Sequence, residues 1–232
     1  WLYYFLNPLL FYKKLGRNIL STTSNLLVRQ NGDAPFTKDP SVSYTMPARF
    51  YTSPEIYDIE KNAIFYKSWN YAGHVSQLKE DRSYITTSIH DQNIFIARGS
   101  DGELRAFHNV CAHRGHILLE GSGRKSVITC PYHAWAFDFS GKLVNARNSE
   151  NVAGFNKDEF SLKEVRLEVF CGMLMVNLDL NAKPFAEQFK GLEEEIRHYM
   201  PSVDSLEYAQ RDTFDVASNW KVLVDNFLEC YH

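Results

Sequence analysis

The sequence predicts an α+β chain in which a small antiparallel β domain lies between two helical stretches. Three observations predict it. Between Tyr71 and Asp179 the apolar residues recur with a period near two, in short β-branched runs separated by turn pairs. Before that, Ser53-Pro54-Glu55 opens a helical pattern, and from Pro184 the apolar spacing turns helical again. The 232 residues suit one large or two small domains, and 44% hydrophobic with 14% aromatic residues is enough for a packed core.

Taken in order, three segments are expected: an extension and linker over 1–45, a helix and β domain over 46–182, and the start of a second domain over 183–232. Residues 1–32 are apolar, basic and hydroxyl-bearing, and the first acidic residue is Asp33. That composition is that of a mitochondrial or plastid transit peptide; a translated upstream stretch or a surface amphipathic helix are the alternatives, with a cytoplasmic protein then expected. Ser53 as cap and Pro54 at the first helical position start a helix over about 54–67, with Ile56, Ile59, Ala63 and Ile64 on one face. Phe65 and Trp69 read as core. SYITTSI and NIFIAR read as strands around Asp91-Gln92, Asp101-Gly102 as a hairpin turn, and LRAFHNV as a strand leading into Cys111. AWAFDFSGKLV turns at Ser140-Gly141, and EVRLEVFCGMLMVNLD gives two strands around Cys171-Gly172. FAEQFKGLEEEIRHY reads as one helix with Phe185, Phe189, Leu192 and Ile196 on a face and Glu193–Glu195 solvated. EYAQRDTFDVASN reads as a strand and NWKVLVDNFLECYH as a helix entered near Asn219.

The chemistry is concentrated between Cys111 and His133. CAHRGH and CPYHAW each offer one thiolate and one imidazole, as Cys-x-His, sixteen residues, then Cys-x-x-His. Such arms can hold a [2Fe-2S] cluster, with Cys111 and Cys130 on one iron and His113 and His133 on the other, the Rieske arrangement. A structural zinc site is the competitor, but zinc fingers pair like with like in each arm, whereas both arms here are mixed. Gly115 and Pro131 stand beside the ligands, where the loops must turn tightly. The two arms are expected as loops at the tips of adjacent hairpins. His116 reads as supporting or surface, Tyr132 and Trp135 as packing around the cluster, and His74, His90, His108 and His198 as structural or exposed.

CAHRGH…CPYHAWAFDFSGKL resembles the Rieske domain of the ring-hydroxylating oxygenase family, and NWKVLVDNFLECYH resembles the segment that begins that family's mononuclear iron site. The resemblance covers about residues 45–232. It implies an electron-transfer cluster exposed on its histidine side and a ferrous site of two histidines and one carboxylate, with open positions for O2 and substrate. His232 would be the first iron histidine. Glu229, three residues earlier, would be the acid linking a neighbouring subunit's cluster histidine to the iron, with Asp225 the alternative. Glu rather than Asp in the compact NFLECYH spacing looks like the branch acting on small quaternary ammonium compounds; an aromatic-ring dioxygenase is the alternative. The resemblance also implies a flavin or ferredoxin-type reductase drawing on NAD(P)H, and a homotrimer. The second histidine and the iron carboxylate would lie beyond His232, so the 232-residue chain alone is expected to bind the cluster without hydroxylating. A Rieske ferredoxin, a pure electron carrier, is the reading from a different class; the NWK…ECYH tail argues against it.

A net charge of −3 gives no basic field for nucleic acid, and no run is long enough for a membrane span. Four cysteines leave Cys171 and Cys230 beyond the cluster pair; a disulfide between them is one possibility and a reduced intracellular protein the other.

Overall fold

The computed structural model describes residues 37, 39, 41–149 and 151–228. They form two compact units. Residues 64–210 make one, and the described residues up to Ala63 together with those from Arg211 make the other.

The larger unit is antiparallel β. A seven-stranded sheet runs in the order β1-β10-β9-β4-β3-β2-β5, and a three-stranded sheet in the order β6-β7-β8. The strands are β1 (Asn70–His74), β2 (Ser83–Ile89), β3 (Gln92–Arg98), β4 (Leu104–His108), β5 (Ser122–Arg124), β6 (Ile128–Thr129), β7 (Ala136–Phe137), β8 (Leu143–Asn145), β9 (Glu164–Phe170) and β10 (Met173–Asn177). Strand β3 shows why the sheet curls. Ile94 to Ala97 are all fully buried, so both its faces meet a core. Ile94 and Ile96 pack with Ile85, Ala106, Val165 and the far strands' Ala72, Leu174 and Val176. Phe95 and Ala97 face the other way, onto Phe107, Phe137, Phe139, Leu143 and both cluster-arm cysteines. Phe95 stands opposite Phe107 in register, with ring centroids 5.4 Å apart.

Turn chemistry sets the register. Cys171 and Gly172 both have positive φ, +48° and +77°, as a two-residue hairpin between Phe170 and Met173 requires. The β2–β3 turn is His90-Asp91, one residue earlier than the expected Asp91-Gln92, with His90 at φ +53°. Asp138 Oδ1 accepts from Ser140 N–H and Lys142 N–H and shapes the β7–β8 turn. There Gly141 has φ +85°, and a Cβ on it would lie 2.5 Å from the Phe107 ring, so this turn presses directly on the large sheet's core.

Two further expectations fail within this unit. The helix from Phe185 is broken: α3 (Phe185–Gln188) and α4 (Leu192–Tyr199) are separated by Gly191, left-handed at φ +87°. The expected face survives the break, because Phe185, Phe189, Leu192 and Ile196 still pack on Trp69, Phe170 and Cys171. Cys171 is a buried free thiol, whereas Cys230 lies outside the described residues. The first cluster arm follows β4, which pairs with β3 and β9 and not with β5, so it is not a hairpin tip; only the second arm is.

The smaller unit holds α1 (Arg49–Thr52), α2 (Pro54–Glu60) and α5 (Trp220–Leu228). Ser53 Oγ accepts from Ile56 N–H and Pro54 fills the first position, as expected. The helix predicted to about Lys67 passes into a π-helical turn over Lys61–Phe65. Glu60 is fully buried, and its oxygens accept from Lys221 Nζ at 2.7 and 2.8 Å and from Trp220 Nε1 at 2.9 Å. Tyr51 OH donates to Asp225 Oδ2 at 2.7 Å. Residues 207–219 form no strand, because no strand among the described residues pairs with them. The transit-peptide stretch, 1–32, lies outside the described residues. Among the described residues no helix is long and apolar enough to cross a membrane.

The buried pair gives a stability test. Lys221→Met strands the Glu60 carboxylate and should cost about 3–5 kcal/mol, whereas Glu60→Gln/Lys221→Met, which keeps an acceptor for Trp220, should recover most of it. Urea unfolding of the three chains measures both.

Candidate metal centre

Two loops build the site, Cys111–His116 and Cys130–Trp135, and they share one backbone pattern. In the first, Cys111 N–H donates to the His116 carbonyl at 2.8 Å, and Gly115 N–H to the Cys111 carbonyl at 3.0 Å. In the second, Cys130 N–H donates to the Trp135 carbonyl at 2.7 Å, and Ala134 N–H to the Cys130 carbonyl at 3.0 Å. The fifth residue of each loop is left-handed, Gly115 at φ +71° and Ala134 at +57°. CAHRGH and CPYHAW therefore match position for position in their hydrogen bonding, with the histidine shifted by one place.

This turn folds each loop over its own cysteine. Cys111 and Cys130 are 2% and 3% exposed and belong to the core between the two sheets. The two thiols face each other there. His113 and His133 stay exposed on the outer side, and their Nδ1 atoms approach to 3.2 Å. The sequence-predicted ligands are thus brought together as a sulfur pair inside and a nitrogen pair outside. Among the described residues no three His, Cys, Asp or Glu side chains gather closely enough to hold a single ion. One donor pair for each of two irons is what a [2Fe-2S] group of this type asks for, and the four residues fit it.

The electrostatics agree. Burial pushes the Cys111 thiol up, and Cys130 beside it adds to this, while the N–H groups of His113 and Arg114 aimed at the sulfur pull the other way. Two buried thiolates side by side need a cationic partner, and ferric iron supplies one. The His113 imidazole is held below its ordinary value by desolvation first, then by His133 and Arg114. That direction favours the neutral form, which is the form that ligates metal.

Surrounding residues fix the arms. Asn109, 3% exposed, donates through Nδ2 to the Leu119 carbonyl at 2.7 Å, and its Oδ1 accepts from Leu118 and Leu119 N–H at 3.2 and 3.0 Å. It clamps the exit of the first arm to its entry. Trp135 stacks on His113, centroids 4.6 Å apart and planes 9° from parallel, and meets Phe155 and Phe160 edge-on. Trp135 is thus packed beside a cluster-arm histidine, as expected of it. Ala134 and Asn109 are the residues sequence reasoning missed. Aligning the two arms on their cysteines would have exposed Ala134 as the counterpart of Gly115; nothing in the sequence marks Asn109. Glu229 and His232 lie outside the described residues. The alternative acid, Asp225, accepts the Tyr51 phenol, whose pKa is pushed up by burial and then by that carboxylate.

The left-handed fifth position predicts an asymmetric response to substitution. Ala134→Gly should leave cluster content unchanged and relieve about 1 kcal/mol of backbone strain, whereas the β-branched Ala134→Val should lower acid-labile sulfide per chain. Sulfide assay and thermal unfolding of the two variants check it.

Comparison with known proteins meets this geometry from outside. The family described as Rieske [2Fe-2S] domain matches residues 68–156, and the one described as ring hydroxylating alpha subunit (catalytic domain) matches residues 203–232. The carnitine monooxygenase oxygenase subunit of Escherichia coli (strain K12) is 47% identical over 198 residues, 85% of this chain and 53% of that protein. The chloroplastic choline monooxygenase of Amaranthus tricolor is 33% identical over 225 residues, 94% of this chain and 50% of that protein. The crystal structure of the quaternary ammonium Rieske monooxygenase CntA in complex with its substrate L-carnitine aligns with a TM-score of 0.82 at 43% identity, over 88% of this chain and 58% of that one. The chain spans about half the length of the curated relatives it matches. With its paired Cys and His arms in a β unit of this topology, the chain belongs to the Rieske oxygenase family, in the branch of the carnitine and choline monooxygenases.

Proposed function

We propose that this chain is part of the terminal oxygenase component of a Rieske non-haem iron system that hydroxylates or demethylates a small quaternary ammonium compound. The observation that carries the reading is the inside-outside division of the four donors, with buried Cys111 and Cys130 behind exposed His113 and His133. Cysteines in the core anchor the group and keep water from the sulfurs. Histidines at the surface leave its outer edge open to an electron-delivering partner. Histidine ligation also places the potential at roughly −150 to +300 mV, above all-cysteine ferredoxins, within reach of a flavin or ferredoxin reductase fed by NAD(P)H. When bound, the cluster supplies one-electron transfer, and a ferrous site supplies O2 activation.

The chain's own residues have separable parts in this. Asn109 and the left-handed Gly115 and Ala134 set the ligand positions, and Trp135 fixes the His113 ring. In the family reading His232 ligates the iron and Glu229 links it to a cluster histidine of a neighbouring subunit in a trimer. The quaternary ammonium substrate rests on the carnitine and choline monooxygenase relatives, and on Glu at position 229 in the compact spacing.

Anaerobically purified or reconstituted chain should be red-brown, with two irons and two acid-labile sulfides bound at this site per chain. Cys111→Ala should abolish the colour. His133→Cys should keep a cluster but lower its midpoint potential, read by spectroelectrochemistry. A colourless protein holding one zinc and no sulfide would overturn the reading.

A further inference from the structure

The two cluster histidines are backed by aromatic rings of opposite character. His113 leans on Trp135, which is 7% exposed and walled in by Phe155 and Phe160. His133 leans on Tyr132, with centroids 3.7 Å apart and planes 28° from parallel, and Tyr132 is 58% exposed. The bracing crosses between the arms. Trp135, sixth residue of the second arm, reaches the histidine of the first. His116, sixth residue of the first arm, lies with its ring 5.9 Å from Tyr132 and tilted 35° to it. Its Nδ1–H donates to the Ile117 carbonyl at 2.6 Å, which fixes the ring. One arm thus presents a buried indole and the other an exposed phenol propped by an imidazole.

We infer that Tyr132, braced by His116, is a positioning residue for His133 that sets the cluster's potential by keeping water off one face of that imidazole. The inference rests on the Rieske reading above. A ring lying at 3.7 Å leaves no room for a water molecule between it and the imidazole. Reduction adds negative charge to the group, and nearby water stabilises added charge. Removing the phenol ring therefore favours the reduced state. Trp135 gives His113 no such adjustable cover, because the core holds it in place. Tyr132, exposed at the surface, is then a part of the cluster's aromatic cover that a docking protein could press closer or lift away.

The test is a spectroelectrochemical titration at pH 7 of cluster-loaded wild type, Tyr132→Ala, Tyr132→Phe and His116→Ala. Sulfide content and the EPR spectrum are recorded for each. Tyr132→Ala should raise the reduced-to-oxidised ratio at a fixed potential about fivefold, or about 40 mV at ~59 mV per tenfold for one electron. Tyr132→Phe, which keeps the ring, should change it less than twofold. His116→Ala should shift it in the same direction as Tyr132→Ala by a smaller factor. A wild-type ratio in Tyr132→Ala overturns the inference, as do equal shifts in Tyr132→Ala and Tyr132→Phe; a wild-type ratio in His116→Ala overturns the bracing. If Tyr132→Ala fails to hold a cluster, Tyr132→Leu, bulky but not planar, is read by the same criteria. Absence of sulfide from the wild type would instead defeat the Rieske reading itself.

Discussion

The sulfur atoms of Cys111 and Cys130 lie in the core, among the aromatic side chains that also hold the small sheet against the large one. Most of the β unit follows from having to bury two thiols side by side and still leave two imidazoles in the open. Each arm meets the requirement with one device, a loop that turns back over its cysteine through a left-handed fifth residue. Glycine adopts that conformation freely; alanine adopts it at a cost, and the second arm carries alanine. Core packing and the centre are therefore one structure. Phe107 touches the same cluster of residues as the cysteines and also blocks any side chain at Gly141. A change in the β7–β8 turn is felt at the base of the arms.

Much of this was legible in the sequence, and the reasons differ by element. The SYITTSI strand was found with its bounds because β-branched residues at period two have few other uses. The Cys171-Gly172 hairpin was legible because a two-residue turn needs positive φ at both places. That these four side chains would meet was legible because a mixed Cys/His pair repeated at short spacing serves little besides metal. What was missed depended on contacts between distant parts. Gly191 was a visible break, but the apolar face running across it argued for one helix, and packing kept that face while the backbone turned. Residues 207–219 have strand-like composition, and a strand needs a neighbour as well as a composition. The first arm was placed at a hairpin tip because sequence neighbours usually pair, whereas β5 crosses to β2.

The two histidines show what ligand identity alone leaves open. Their Nδ1 atoms approach to 3.2 Å, yet one ring stands against a buried indole and the other against an exposed phenol. Chemistry of this class depends on how a metal's ligands are held and hydrated as well as on which atoms bind. The alanine at the left-handed position, the clamp at Asn109 and the crossing of the arms are all of that kind. They govern orientation and the access of water, and they sit outside any ligand pattern.

The ion pair between Glu60 and Lys221 joins residues 161 apart in the chain. During synthesis at about 5–20 residues per second, Glu60 would emerge roughly 10–30 s before its partner. The intervening strands, whose pairings all fall within residues 64–210, would have that interval to form. The helices Arg49–Thr52 and Pro54–Glu60 could be completed only afterwards, once Trp220–Leu228 had emerged. A nascent chain arrested between these points would carry the strand-built cluster cradle before Glu60 had met Lys221.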